Sequence, residues 1–295
     1  MSKHHLGEVF GFPVDNLSNR AEHYRKNKLC PYNNKVPSCT KSKANDPIGV
    51  CSILADGVMT ITCPVRFRQD WQVVSDAAQV FFPEGTNWTS LGEVRLNDAD
   101  GNSAGNVDFV LVSFDDYGRI LDFGALEIQS VYISGNVSNP FKYYMEDRPN
   151  RAKTDYPSNM RPDFLSSSRK RLIPQIIYKG KILNGWEKKI AVALQDTFFE
   201  TLPDLPTVEP EHAELIWLIY GLNFDEKANQ YTLFLKETIF TQFQPSLNKI
   251  TTPPVGSPDS FIELLQDKLN EELEKETPPD TMSLTDMFVG GDKLY

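Results

Sequence analysis

Residues 106–129 read NVDFVLVSFDDYGRILDFGALEIQ, and the fold turns on them. Val107 to Phe114 is apolar and rich in β-branched residues, the composition of a strand. Asp115, Asp116, Tyr117 and Gly118 are turn formers. Leu121 to Gln129 reads as a second strand, so the stretch predicts a hairpin buried on at least one face. Asp122 lies beside the turn, within reach of water. Asp108, Glu127 and Gln129 lie deeper in the apolar pair. Glu127 and Gln129 are two residues apart and share a strand face. A carboxylate buried in a strand is costly unless it is paired or holds a metal. Two converging carboxylates suit Mg²⁺, which takes oxygen ligands and keeps several waters. Read alone, these residues fit ordinary satisfied polar groups as well.

The 295 residues suffice for one large domain or two modest ones. The composition, 40% hydrophobic and 24% charged, is that of a soluble globular protein. No apolar run approaches the ~20 residues of a membrane span. The opening MSKHHLGEVFGF lacks an apolar signal core, so an intracellular, cytoplasmic location is expected. The net charge of −10 conceals an uneven layout. Basic residues outnumber acidic ones by 8 to 4 in residues 1–50 and by 12 to 5 in residues 142–189. Segments 51–141 and 190–295 are net acidic. A basic stretch is the footprint of phosphate binding, although random clustering on a solvated surface produces the same count.

Cys30, Cys39, Cys51 and Cys63 are the only cysteines, spaced C-x8-C-x11-C-x11-C. Two disulfides would require an oxidising compartment, which the missing signal core argues against. Four unrelated buried thiols would have no reason to cluster. A four-thiolate metal site explains the clustering, and tetrahedral sulfur suits structural zinc or iron. Of the four histidines, His4 and His5 lie near the terminus, His23 falls in a short helical stretch from Leu17 to Lys28, and His212 stands apart.

Elsewhere the periodicity predicts a helix over Asp70 to Phe82 and a short element over Leu91 to Leu96, which carries Glu93. Asn97 to Asn106 is a turn-rich loop; Asp98 and Asp100 resemble the start of a calcium loop, but no glutamate closes it. Val131 to Arg161 reads as an irregular excursion in which Tyr132, Phe141, Tyr143, Tyr144 and Tyr156 alternate with Arg148, Arg151, Lys153 and Arg161, a composition suited to phosphate clamping. Arg169, Lys170 and Arg171 open the stretch that follows, a basic entry suited to meeting phosphates. Trp186 to Glu200 has an apolar stripe through Trp186, Ile190, Ala193, Leu194, Thr197 and Phe198, which predicts a helix. Glu214 to Leu222 and Gln230 to Phe240 predict two strands, and Ser260 to Glu276 an amphipathic helix ahead of a loose tail.

His212 is the only histidine outside the first 23 residues, which argues against a serine-histidine-acid site, and neither a Walker loop nor G-x-G-x-x-G is present. Carboxylate chemistry on strands remains. Asp108 followed after a hairpin by Glu127-x-Gln129 resembles the PD-(D/E)xK nuclease core, with Gln129 where most members carry lysine. GALEIQ (Gly124 to Gln129), Gly92–Glu93, Asp108 on its strand, and Cys30 followed by Pro31 together resemble the NotI family of type II restriction endonucleases over roughly residues 28–200.

That resemblance implies an α/β fold, a mixed sheet flanked by helices with an N-terminal four-cysteine metal-binding region. It divides the chain into a metal-binding region (1–69), a nuclease core (70–250) and a C-terminal helix and tail (251–295). It implies catalytic roles for Asp108, Glu127, Gln129 and Glu93. Asp108 and Glu127 would hold Mg²⁺, and Cys30, Cys39, Cys51 and Cys63 structural iron or zinc. The expected partner is double-stranded DNA, the expected assembly a homodimer matching a palindromic site, and the activity sequence-specific double-strand cleavage. Two rivals stand beside it: a non-catalytic four-cysteine DNA-binding module, and a non-specific PD-(D/E)xK repair nuclease.

Overall fold

The structure is a computed structural model that describes residues 5–43, 46–154, 156, 157 and 159–274. The expectations for His4 and for the tail beyond residue 274 fall outside the described residues. The chain divides into a compact unit ending at Thr251 and a second beginning at Thr252.

The first unit begins with β1 (Leu6–Val9) and β2 (Phe12–Pro13), then helix α1 (Asn19–Lys26). Ser18 caps α1 by accepting from the Ala21 N–H. Two short strands, β3 (Ser42–Lys43) and β4 (Asp46–Pro47), precede β5 (Val50–Ala55) and β6 (Val58–Ile61). Strands β2, β1, β5 and β6 form one sheet in that order. A buried ion pair fastens this sheet to the chain beyond it: Arg66 Nε lies 3.1 Å from Glu8 Oε2, with both side chains fully buried. Arg66 also donates to Gln69 Oε1 and to the Tyr231 carbonyl, and its guanidinium stands 4.3 Å over the Tyr32 ring.

Helix α2 (Gln72–Phe81) leads into the main sheet: β7 (Trp88–Asn97), β8 (Ser103–Phe114) and β9 (Ile120–Gln129). A two-stranded ribbon follows, β10 (Tyr132–Ser134) with β11 (Arg161–Asp163), and helix α3 (Ser138–Glu146) lies between its strands. The expected irregular excursion thus contains regular elements, and Tyr144, buried on α3, donates to the Val14 carbonyl. Residues 164–185 are helical throughout, with π turns at Ser168–Leu172 and Ile176–Gly180 between α turns. Then come β12 (Ile190–Gln195), β13 (Leu215–Asp225), β14 (Gln230–Thr241) and the helix Phe243–Thr251. The order of the six-stranded sheet is β14-β13-β12-β9-β8-β7. Strand β12 runs parallel to both neighbours, and the outer pairs are antiparallel. This is a mixed sheet flanked by helices.

The helix expected over Trp186 to Glu200 is corrected. Its central residues, IAVALQ, form a strand buried at every position, and only Asp196–Phe199 is helical. A central parallel strand is covered on both faces, so it carries a continuous apolar run instead of an alternating one. Phe109, Leu111, Leu126, Ala191, Ala193, Ile216 and Leu218 face α2 and Phe67. Ala125, Val192, Leu194 and Trp217 face Leu172, Ile176 and Leu183 of the 164–185 helix. Gly124 lets α2 approach: a Cβ there would lie 2.7 Å from Phe81 Cδ2.

The described part of the second unit holds the helix Pro258–Leu273, capped by Ser257.

Candidate active site

The site grows out of strand register. Phe109 pairs with Leu126, so the next step along each strand sets Asp108 opposite Glu127 on one face. On the other side of β8, Gly92 pairs with Phe109 and Val94 with Val107, which sets Glu93 opposite Asp108. Glu93, Asp108 and Glu127 therefore form one row across three strands. Gln129 follows two residues after Glu127 on its face. The face is the one covered by the 164–185 helix.

The side chains of this row are held differently. Asp108 Oδ2 accepts a 2.8 Å hydrogen bond from the Ile128 N–H. Glu127 is 2% exposed, and both its oxygens lie 2.9 Å from Lys179 Nζ. Lys179 descends from the 164–185 helix, is itself 5% exposed, and also donates to the Asn106 carbonyl. Gln129 Nε2 donates to the Ser130 carbonyl. Glu93 is exposed; its carboxylate pairs with Lys35 Nζ at 3.0 Å. Its φ of 58° is left-handed, a conformation that costs a non-glycine residue about 1 kcal/mol or more. The structure thus brings Asp108, Glu127 and Gln129 together and leaves the Glu93 side chain on the rim.

Burial pushes the Glu127 carboxyl up to about 7, reinforced by the charge of Asp108 and opposed by Lys179. Burial also raises Asp108, opposed by the Ile128 N–H, Lys179 and Arg68. Lys35 holds Glu93 below the usual carboxylate range. Two carboxyls that disfavour each other's charge form a site that gains from a cation. There is room beside them: Asp108 and Gln129 line an open cavity of ≈480 Å³ with Lys41, Tyr132, Arg171 and Gln175. Glu127 is not on its wall.

Lys179 was missed in the sequence. It stands 52 residues from Glu127 and carries no motif. Its only signal is a lone lysine in the otherwise apolar run from Ile176 to Gly180.

Cys30, Cys39, Cys51 and Cys63 all line a second, small cavity of ≈10 Å³ together with Tyr32, Lys41 and Arg66. None is in a disulfide. Burial raises the thiols of Cys30 (to about 11), Cys39 and Cys51, and the charge of Cys63 adds to each. Among the described residues, no three His, Cys, Asp or Glu side chains are grouped closely enough to hold a metal ion. The sulfurs therefore share a neighbourhood without forming a ligand cage. Lys41 borders both cavities and donates to the carbonyls of Val50 and Thr62, so the cysteine region forms part of the wall facing Asp108.

Among the described residues, no helix is long and apolar enough to cross a membrane. No curated protein matches the chain. A family model described as "Restriction endonuclease NotI" matches residues 15–233, which takes in the cysteine region, the carboxylate row and the sheet as far as β14. The match covers well over half of the sequence, and the chain belongs to the NotI restriction endonuclease family.

Proposed function

We propose that this chain is a type II restriction endonuclease that cuts both strands of DNA at a specific sequence in a Mg²⁺-dependent hydrolysis. One observation carries the reading: Asp108 and Glu127 stand opposite each other on one face of a hairpin, beside a polar cavity, inside the family match. Carboxylate oxygens are what a hard cation takes, and Glu127 would have to share its carboxylate between the ion and Lys179. Asp108 presents oxygen on the cavity wall, and Glu127 brings a second carboxylate whose burial is relieved by nearby positive charge. Asp108 and Glu127 would hold Mg²⁺, which supplies a water of lowered pKa and charge neutralisation at the phosphate.

The chain's own residues do the rest. Gln129 orients water at the cavity wall. Lys179 fixes the Glu127 carboxylate from the helix side and places an ammonium near the carboxylates, although position 129 carries none. Glu93 sits at the rim beside Asp108, where it bears on its charge. Cys30, Cys39, Cys51 and Cys63 do not form a cage as they stand and would hold structural zinc or iron only once drawn together, a reading supported by four free thiols on one cavity. A homodimer follows if the target is palindromic.

The ion pair with Lys179 favours one rival, in which Glu127 is purely structural and the chain binds DNA without cutting it. Cleavage of mixed-sequence DNA in Mg²⁺ separates the readings. Discrete fragments are expected from the native protein, and Asp108→Ala and Glu127→Ala should each remove cutting while retaining a cooperative melt. Native-like cutting by both variants would refute the assignment, a smear would favour a non-specific nuclease, and binding with no cutting by the native protein would favour the rival.

A further inference from the structure

The 164–185 helix presents three polar side chains to the carboxylate row at intervals of four: Arg171, Gln175 and Lys179. In a pure α-helix, eight residues overshoot two turns by about 80°. The π turns at Ser168–Leu172 and Ile176–Gly180 widen the helix and keep the three on the side facing the strands. Lys179 is spent on Glu127 and Asn106, and Arg171 and Gln175 line the cavity with Asp108 and Gln129.

Two features of this wall are unfilled. The Arg171 guanidinium lies 4.4 Å over the Tyr132 ring, and among the described residues none of its donors is in a hydrogen bond or ion pair. Gln175 Oε1 is buried without a partner. Among the described residues, Lys41 is the other cation on the wall, and its ammonium already serves the carbonyls of Val50 and Thr62 and the Thr62 hydroxyl. The contact with the Tyr132 ring holds the guanidinium in place without using its donors, and a guanidinium with unused donors takes a phosphate in bidentate fashion. Tyr132 is itself anchored to the helix, because its N–H donates to Ser167 Oγ at 2.8 Å. A cavity lined by a carboxylate repels a phosphodiester, so a free cation on its wall has a definite use.

We propose that Arg171, stacked on Tyr132, binds the phosphodiester that enters this cavity, and that Gln175 Oε1 accepts from a water brought in with it. The inference rests on the nuclease reading and names the residue that seats its substrate. The test uses Arg171→Gln and Arg171→Lys in the full chain, with Tyr132→Leu as an independent variant that removes the stacking platform. Cleavage of plasmid DNA in Mg²⁺ is the first readout. The second is the affinity for a mixed-sequence duplex in Ca²⁺ across a salt series, which does not depend on chemistry. Arg171→Gln should lower the cleavage rate on the order of 100-fold and reduce the slope of log affinity against log salt by about one. Arg171→Lys should restore the slope and not the rate, and Tyr132→Leu should lower the rate with the slope kept. A native rate and slope in Arg171→Gln, with Asp108→Ala inactive, overturns the inference and leaves the nuclease reading intact. Native-like cutting by Asp108→Ala and Glu127→Ala overturns that reading itself.

Discussion

Glu127 is the residue on which most of the local electrostatics converge. It is buried, faces a second carboxyl, and is held in place by one ammonium. Its carboxyl is raised from 4.5 to about 7 in the folded chain. A raised acid binds its proton more tightly when folded, so its contribution to stability is complete below about 4.5 and is lost as the pH rises through 7. Without added Mg²⁺, melting temperatures measured from pH 5 to 8 should show Glu127→Gln gaining on the native protein as the pH rises. Added Mg²⁺ should offset the loss in the native protein and not in the variant, because a ligand that binds only the folded state stabilises it. A difference that stays flat with pH would show that the carboxyl is unperturbed. Lys179 is the counterpart: Lys179→Met leaves a buried carboxylate without its partner, which costs about 3–5 kcal/mol, read as a lower denaturant midpoint. Lys179→Arg should recover part of it.

At the scale of elements, the N-terminal sheet is tied to the rest by polar groups as much as by apolar ones. Glu8 and Arg66 are fully buried, and Arg66 reaches Tyr231 at the start of β14. Glu8→Gln should cost about 3–5 kcal/mol, whereas the double change Glu8→Leu with Arg66→Met should cost less, since it strands no charge; urea melts of both settle the order. Beyond the pair, the amide of Gln195 bridges the sheets, accepting from the Ile61 N–H and donating to the Met59 carbonyl. The cysteine cavity shares this region. Metal analysis of the native protein should find about one zinc or iron per chain, and Cys51→Ser should lose both that metal and stability; metal-free native protein with an unchanged melt would remove the metal reading. How far the sequence exposes this architecture depends on range. The hairpin from Val107 to Gln129 and the strands β13 and β14 are legible because period and turn residues are local signals. Strand β12 misleads because IAVAL is short and uniformly apolar, and its stripe fits helical and strand spacing alike. The Asp108–Glu127 pair is legible because a hairpin fixes register. Arg169 to Arg171 are legible as a basic entry for phosphates, but that Arg171 faces the carboxylates is not, and Lys179 is not legible at all, since only the packing of a distant helix brings them there.

At the scale of the whole molecule, charge and domain layout act together. Residues 252–295 carry ten acidic residues against three basic ones, while 142–189 is strongly basic. Acidic charge on the same chain as a DNA-binding region adds long-range repulsion of phosphate. The first unit ends at Thr251 and has its own core, so a chain stopped there should fold. The expected result is a cooperative melt close to that of the full chain. At low ionic strength, the shortened chain should bind a mixed-sequence duplex several-fold more tightly. The gap should close as salt rises, because exposed charges more than about 10 Å apart are largely screened at 0.1 M. Equal affinities at low salt would show that the acidic segment does not reach the phosphate-binding surface. A gap that persists at high salt would point instead to direct contact between the segment and the DNA-binding face.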